Sequence, residues 1–208
     1  MRRARQLSFL PSFKNLNTAL KHGGEVNRGR RKLARPVDPK RPIHLVLTSS
    51  KARGDWSLTN TDNRRHIREA LYQGKKRFGV KVYSQGTQGN HLHLLIKAPS
   101  RRDFQDFLRY LAGRLAMKIT GARKGRSLAR SETKTDSGVR GFWDSLAFTR
   151  LVAWGRDFLS VKDYVELNEQ EGQLVWSKAE SEFLRARRRG EVGPDEPMRL
   201  RTSQGISH

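Results

Sequence analysis

The chain has 208 residues, with 43 Lys and Arg against 20 Asp and Glu, a net charge of +23, and no cysteine. The length suits one domain with its own core plus extensions, and the charge points to a polyanionic partner, nucleic acid ahead of an anionic membrane. The missing cysteines exclude disulfides and thiolate metal sites and fit a cytoplasmic protein, and no apolar run is long enough to span a bilayer.

Residues 1–41 carry twelve Lys and Arg, two acids and several Gly and Pro, so they read as a basic N-terminal arm with little regular structure. Its densest cluster is Arg28, Arg30, Arg31 and Lys32. The aliphatic run "IHLVLTS" (43–49) predicts a strand. Residues 60–79 predict a helix, with Ile67, Ala70, Leu71, Gly74 and Phe78 on one face and Thr61 or Asp62 as N-cap. "VKVYSQG" (80–86) and "HLHLLIKA" (91–98) predict two strands joined by a hairpin at Gly89–Asn90.

Ser100, with Asp103 three residues on, predicts a helix start. Phe104, Phe107, Leu108, Leu111, Leu115 and Ile119 form the apolar stripe of that helix. Its polar side carries Arg101, Arg102, Arg109, Arg114 and Lys118. Residues 121–141 read as a mobile polar loop, in which Arg123, Lys124 and Arg126 extend the basic surface. "FWDSLAFTRLVAW" (142–154) predicts a long strand, and 160–172 a short helix stopped by Gly172. The tail from Glu180 onward reads as a short helix that then frays.

The order β-α-β-β-α-β-α matches, in its first six elements, an α+β ferredoxin-like arrangement: a four-stranded antiparallel sheet with two helices on one face. A C-terminal helix follows. Side chains alternate along a strand, so His91 and His93 share one face while Leu92, Leu94 and Ile96 enter the helix-covered core. That leaves the histidines on an open face. Two imidazoles so spaced can each give one ring nitrogen to a divalent metal. Separate hydrogen bonds or a subunit contact are the alternative use of such a pair.

Two nitrogens leave a metal incomplete. Tyr164 and Asn168, four apart on the last helix, share a face. Asn168 can offer a carbonyl oxygen to the metal. Tyr164 can offer a phenol that ionises more easily near cations and attacks phosphorus. The alternative for Tyr164 is an aromatic packing the helix on the sheet beside Val161 and Val165. Tyr110 is the rival nucleophile, but it precedes the last strand and has no polar partner at i+4 on the metal side. His44 and His66 read as structural, and Trp56, Trp143 and Trp154 as core or interface residues ahead of base-stacking ones.

"GNHLHLLIK", "FWDSLAFTRLV" and "DYVELN", in this element order, resemble the HUH endonucleases. Among these, residues 41–172 are similar to the single-tyrosine transposases of small bacterial insertion sequences and their REP-associated relatives. The resemblance implies a homodimeric, nucleoid-associated bacterial enzyme that cuts and rejoins single-stranded or hairpin DNA. It implies His91, His93 and Asn168 as ligands of Mg²⁺ or Mn²⁺, and Tyr164 as the nucleophile that forms a 5′-phosphotyrosine. The assisting ligand in the family is commonly Gln, so Asn168 reaches one methylene less far.

The implied organisation is an arm at 1–41, the HUH domain at 42–172, and a C-terminal helix and flexible tail at 173–208. Arg28, Arg30, Arg31, Lys32, Arg102, Arg109, Arg114, Lys118, Arg123, Lys124 and Arg126 are the candidate DNA-backbone contacts. A domesticated relative that acts on genomic repeats fits the same residues. A non-enzymatic module of RNA-recognition-like fold shares the element order, but that fold carries exposed aromatics on the strand where His91 and His93 stand.

Overall fold

The computed structural model describes residues 20–27, 34–122 and 141–189. Arg28, Arg30, Arg31, Lys32, Arg123, Lys124 and Arg126 lie outside the described residues, as does nearly all of the loop expected at 121–141.

Five strands form one antiparallel sheet. They are β1 (Lys21–His22), β2 (Ile43–Thr48), β3 (Lys81–Thr87), β4 (His91–Lys97) and β5 (Phe148–Leu151), in spatial order β1-β5-β2-β4-β3. The helices are α1 (Thr61–Phe78), α2 (Arg101–Thr120) and α3 (Arg156–Arg188). The last four strands and first two helices are the ferredoxin-like core that the sequence predicts.

β1 is an addition, drawn from the arm expected to lack regular structure. Lys21 pairs with Arg150 and His22 with Thr149. Arg35, further along the arm, donates to the Ala147 carbonyl at 2.7 Å and to Thr149 Oγ1 at 2.6 Å. The composition of the arm hid this, because two ladder residues and one guanidinium leave no periodicity to read.

The alternation in β2 and β4 sends Ile43, Leu45, Leu47, Leu92, Leu94 and Ile96 into one core beneath α1 and α2. Phe104, Phe107, Leu111, Leu115 and Ile119 fill it from α2. Ser100 caps α2 by accepting from the Asp103 N–H at 3.1 Å, as its sequence signals. The cap of α1 is Asn60, one residue before the expected Thr61 or Asp62. Its backbone is still non-helical, and its side chain accepts the Asp62 N–H at 3.0 Å.

Two expected boundaries move. β5 spans only Phe148–Leu151 rather than 142–154. Side chains hold the preceding stretch irregular: Phe142 enters the core, Trp143 donates its indole N–H to the Ala112 carbonyl at 2.9 Å, and Asp144 accepts the Ser50 N–H. α3 continues through Gly172 to Arg188 instead of ending at 172.

The larger correction concerns the face expected to be open. α3 lies on it, packing Val161 and Val165 on Leu95 and Val152. Gly172 has a role other than stopping the helix. A Cβ there would fall 1.9 Å from the Thr87 carbonyl oxygen, and one on Gly86 would fall 2.3 Å from that of Val165. The two glycines allow α3 to lie directly on β3.

Candidate active site

β4 and α3 bring their polar residues together under this second layer. His91 and His93 stack, with ring centroids 5.9 Å apart and planes 22° from parallel. Tyr164 stands edge-on to His93 with centroids 5.6 Å apart. The buried Asn168, one turn further along α3, donates its amide N–H to the Tyr164 carbonyl at 2.6 Å, which leaves its side-chain oxygen for another partner. Gly86 pairs with His93 in the ladder, and its backbone faces Asn168 Cβ. The missing side chain at Gly86 therefore sets how close Asn168 lies to the histidine strand. All four residues come from one chain.

His44, expected from the sequence to be structural, is a fifth member. The alternation that buries Ile43, Leu45 and Leu47 turns His44 to the histidine face, and β2 is the neighbour of β4. That signal was present in "IHLVLT". His44 stacks on His93 at 5.6 Å and meets Tyr164 edge-on at 6.1 Å. His44 Nε2 lies 3.4 Å from His93 Nδ1. His93 Nε2, on the far side of the same ring, is buried and has no hydrogen-bond partner among the described residues.

Burial holds these imidazoles neutral. It pushes the His93 pKa down to about 4, with the neighbouring His91 adding to the effect. It lowers His44 well below the ordinary value, helped by His93 and Arg150. It lowers His91 too, against the opposing pull of Asp144. Neutral imidazole is the form that ligates a metal.

Three acids and two arginines frame the site, none of them singled out by the sequence patterns. Asp144 lies close enough to His91 to act on its charge, in a stretch taken for strand. The guanidinium of the fully buried Arg150, opposite His44 on β5, pairs with both oxygens of Asp157 on α3, at 2.9 and 3.2 Å. Glu169 of α3 binds Arg64 of α1 and accepts the Thr87 N–H at 2.8 Å. These contacts fasten α3 before and after Tyr164.

Other expected residues lie elsewhere. Arg101, Arg102, Arg109, Arg114 and Lys118 belong to α2, on the opposite face of the sheet from the histidines. Arg102 and Arg109 pair with Asp106, and Arg114 lies over the Tyr110 ring. Tyr110 donates to Gln73 at 2.9 Å on that same far side. Trp56 and Trp143 pack against the core, whereas Trp154 remains 49% exposed. Among the described residues no group of three or more His, Cys, Asp or Glu is arranged to hold a metal ion. A cation at His91 and His93 would therefore need an oxygen from another residue type. No described helix is long and apolar enough to cross a membrane.

The family profile described as "Transposase IS200 like" matches residues 40–166. No curated protein matches the chain. A solved REP-associated tyrosine transposase, bound to a REP hairpin, is 15% identical with a TM-score of 0.50, covering 84% of this chain and 99% of its own. A crystal structure from Deinococcus radiodurans, assigned as a transposase, is 16% identical with a TM-score of 0.39, covering 67% and 98%. At these identities the likeness is one of fold.

Proposed function

The chain belongs to the family of IS200-like transposases, and from that premise we propose that it cuts and rejoins single-stranded or hairpin DNA with Tyr164 as nucleophile. The observation that carries this reading is the Tyr164 ring set 5.6 Å from His93, whose buried Nε2 has no partner among the described residues. A buried polar atom of that kind costs stability unless something binds it.

A divalent cation fits the need. His91 and His93 are neutral, His93 presents a free nitrogen, and Asn168 has a side-chain oxygen to give. These three would hold Mg²⁺ or Mn²⁺, which when bound polarises a phosphoryl oxygen and favours ionisation of a nearby phenol. The rest falls to the chain. Tyr164 loses its proton and its oxygen attacks the phosphorus. The bond from phosphorus to the 3′ oxygen breaks, and that oxygen leaves as a hydroxyl by gaining a proton. The 5′ phosphate stays on Tyr164 until another 3′ hydroxyl displaces the phenol and reseals the strand.

The hairpin bound by the REP-associated relative supports hairpin DNA as the substrate here. A homodimer is the expected assembly, and within one chain α3 docks on its own sheet. We place the HUH domain at 42–172, with the arm at 1–41 contributing an edge strand.

Incubation with a single-stranded hairpin and Mn²⁺, resolved on a denaturing gel, tests the reading. A covalent protein–DNA adduct that disappears in Tyr164→Phe supports it. An adduct that persists in that variant refutes the choice of nucleophile. His91→Ala should abolish cleavage while leaving hairpin retention, and undiminished cleavage would remove the metal assignment.

A further inference from the structure

A second polar surface lies at the other end of the histidine face. Lys97 shares its side of β4 with His91 and His93 and stands four residues beyond His93, about 13 Å along an extended strand. Directly opposite it in the ladder is Lys81 of β3. Like charges placed across neighbouring strands repel, and neither lysine has an ion pair among the described residues. Each lies over an aromatic ring instead. Lys97 Nζ is 5.9 Å from the Trp154 centroid, and Lys81 Nζ is 5.0 Å from that of Tyr83.

Phe158 joins the two rings, 5.2 Å from Tyr83 and 5.0 Å from Trp154. The Trp154 indole N–H donates to the Lys40 carbonyl at 2.9 Å, so the ring is fixed while about half of it stays in water. Packing accounts for Phe158. It does not account for an exposed tryptophan beside two opposed ammonium groups.

We propose that Trp154, Tyr83, Lys81 and Lys97 form a subsite for one or two unpaired nucleotides flanking the cleaved position, with bases on the rings and a phosphate between the lysines. Aromatic faces accept any base, and the cations answer the backbone charge. The location suits a strand that runs on to Tyr164, because Phe158 and Tyr164 are six residues apart on α3, roughly 9 Å. A second copy of the chain is a poorer occupant. A two-fold contact through this patch would set Lys81 and Lys97 against their own copies. The inference deepens the preceding reading and rests on it for single-stranded DNA as the ligand.

The test compares a labelled hairpin carrying a single-stranded overhang with the blunt hairpin, by fluorescence anisotropy over a salt series. Tyr164→Phe serves as background so that no cleavage intervenes. The overhang should tighten binding. Trp154→Ala should remove about tenfold of that gain and leave blunt-hairpin affinity unchanged, whereas Trp154→Phe should keep most of it. Lys81→Gln with Lys97→Gln should lower the overhang salt slope by about 0.7, the value for one neutralised phosphate, and this arm remains informative if Trp154→Ala fails to fold.

Equal overhang gains and equal slopes in all variants overturn the subsite. So does a Trp154→Ala variant that changes only self-association in sedimentation. If wild-type protein forms no adduct but the overhang effect depends on these residues, the nuclease reading fails and the subsite stands. If the adduct forms and the variants behave as wild type, the subsite fails alone.

Discussion

Glu169 of α3 is fastened to Thr87 at the end of β3: one carboxylate oxygen accepts the Thr87 N–H at 2.8 Å, while the other pairs with Arg64 and accepts from Gln173. Thr87 pairs with Leu92, between the two histidines. One side chain therefore fixes the register of the tyrosine helix against the histidine strand. A hydrogen bond to a charged group contributes about 2 kcal/mol, so Glu169→Ala should raise the open population of α3 roughly 30-fold. The chain has no cysteine, so Val165→Cys, on the buried inner face of α3, reports opening through its rate of thiol labelling. A labelling rate unchanged by Glu169→Ala would deny the fastening.

His44 should tune the metal without touching it. A proton placed on His93 Nδ1 and shared with His44 Nε2 leaves the lone pair on His93 Nε2, the atom without a partner. His44→Phe keeps the stack and removes the acceptor. Mn²⁺ affinity in the absence of DNA, followed by calorimetry, should fall about 10- to 100-fold. Equal affinity in variant and parent would mean that His93 needs no such help.

The metal-free protein should lose stability in mild acid. Burial holds the folded-state pKa of His93 at about 4, against an ordinary value of 6.5. The unfolded chain therefore takes up a proton at His93 below pH 6.5, and the folded chain only near pH 4. Stability is intact above pH 6.5 and falls as pH drops towards 4, by about 3 kcal/mol at most from this residue. His44 and His91 shift in the same direction. Thermal unfolding across this range should be flatter in His93→Gln, and a parallel slope would argue against the shift.

Two glycine substitutions should have opposite signs. Gly172→Ala places a Cβ 1.9 Å from the Thr87 carbonyl oxygen, whereas a Cβ at Gly113 on α2 meets nothing within 4 Å. Gly172→Ala should lift α3 from β3, costing about 1–3 kcal/mol and most of the cleavage rate. Gly113→Ala should stabilise by about 0.5–1 kcal/mol through helix propensity. Denaturant midpoints of both variants decide the matter, and a neutral Gly172→Ala would contradict the close approach.

Local rules made much of this molecule readable. Ser100 marked the start of α2, the aliphatic alternation of β2 and β4 named the core, and His-Leu-His placed two imidazoles on one face. The strand expected at 142–154 failed because Phe142, Trp143 and Asp144 are held by contacts with distant residues, which no window of sequence contains. His44 was legible from its own alternation, but its use required knowing that β2 adjoins β4.

The sequence by itself determined the succession of strands and helices in the core, the shared face of His91 and His93, and the shared helical face of Tyr164 and Asn168, because periods of 2 and 3.6 residues are local properties of the backbone. Tertiary structure alone decided that α3 covers the histidine face of its own chain. That outcome depends on absences at Gly86 and Gly172 and on partners at Arg64 and Arg150. Each of these acquires meaning only when residues far apart along the chain come within contact distance.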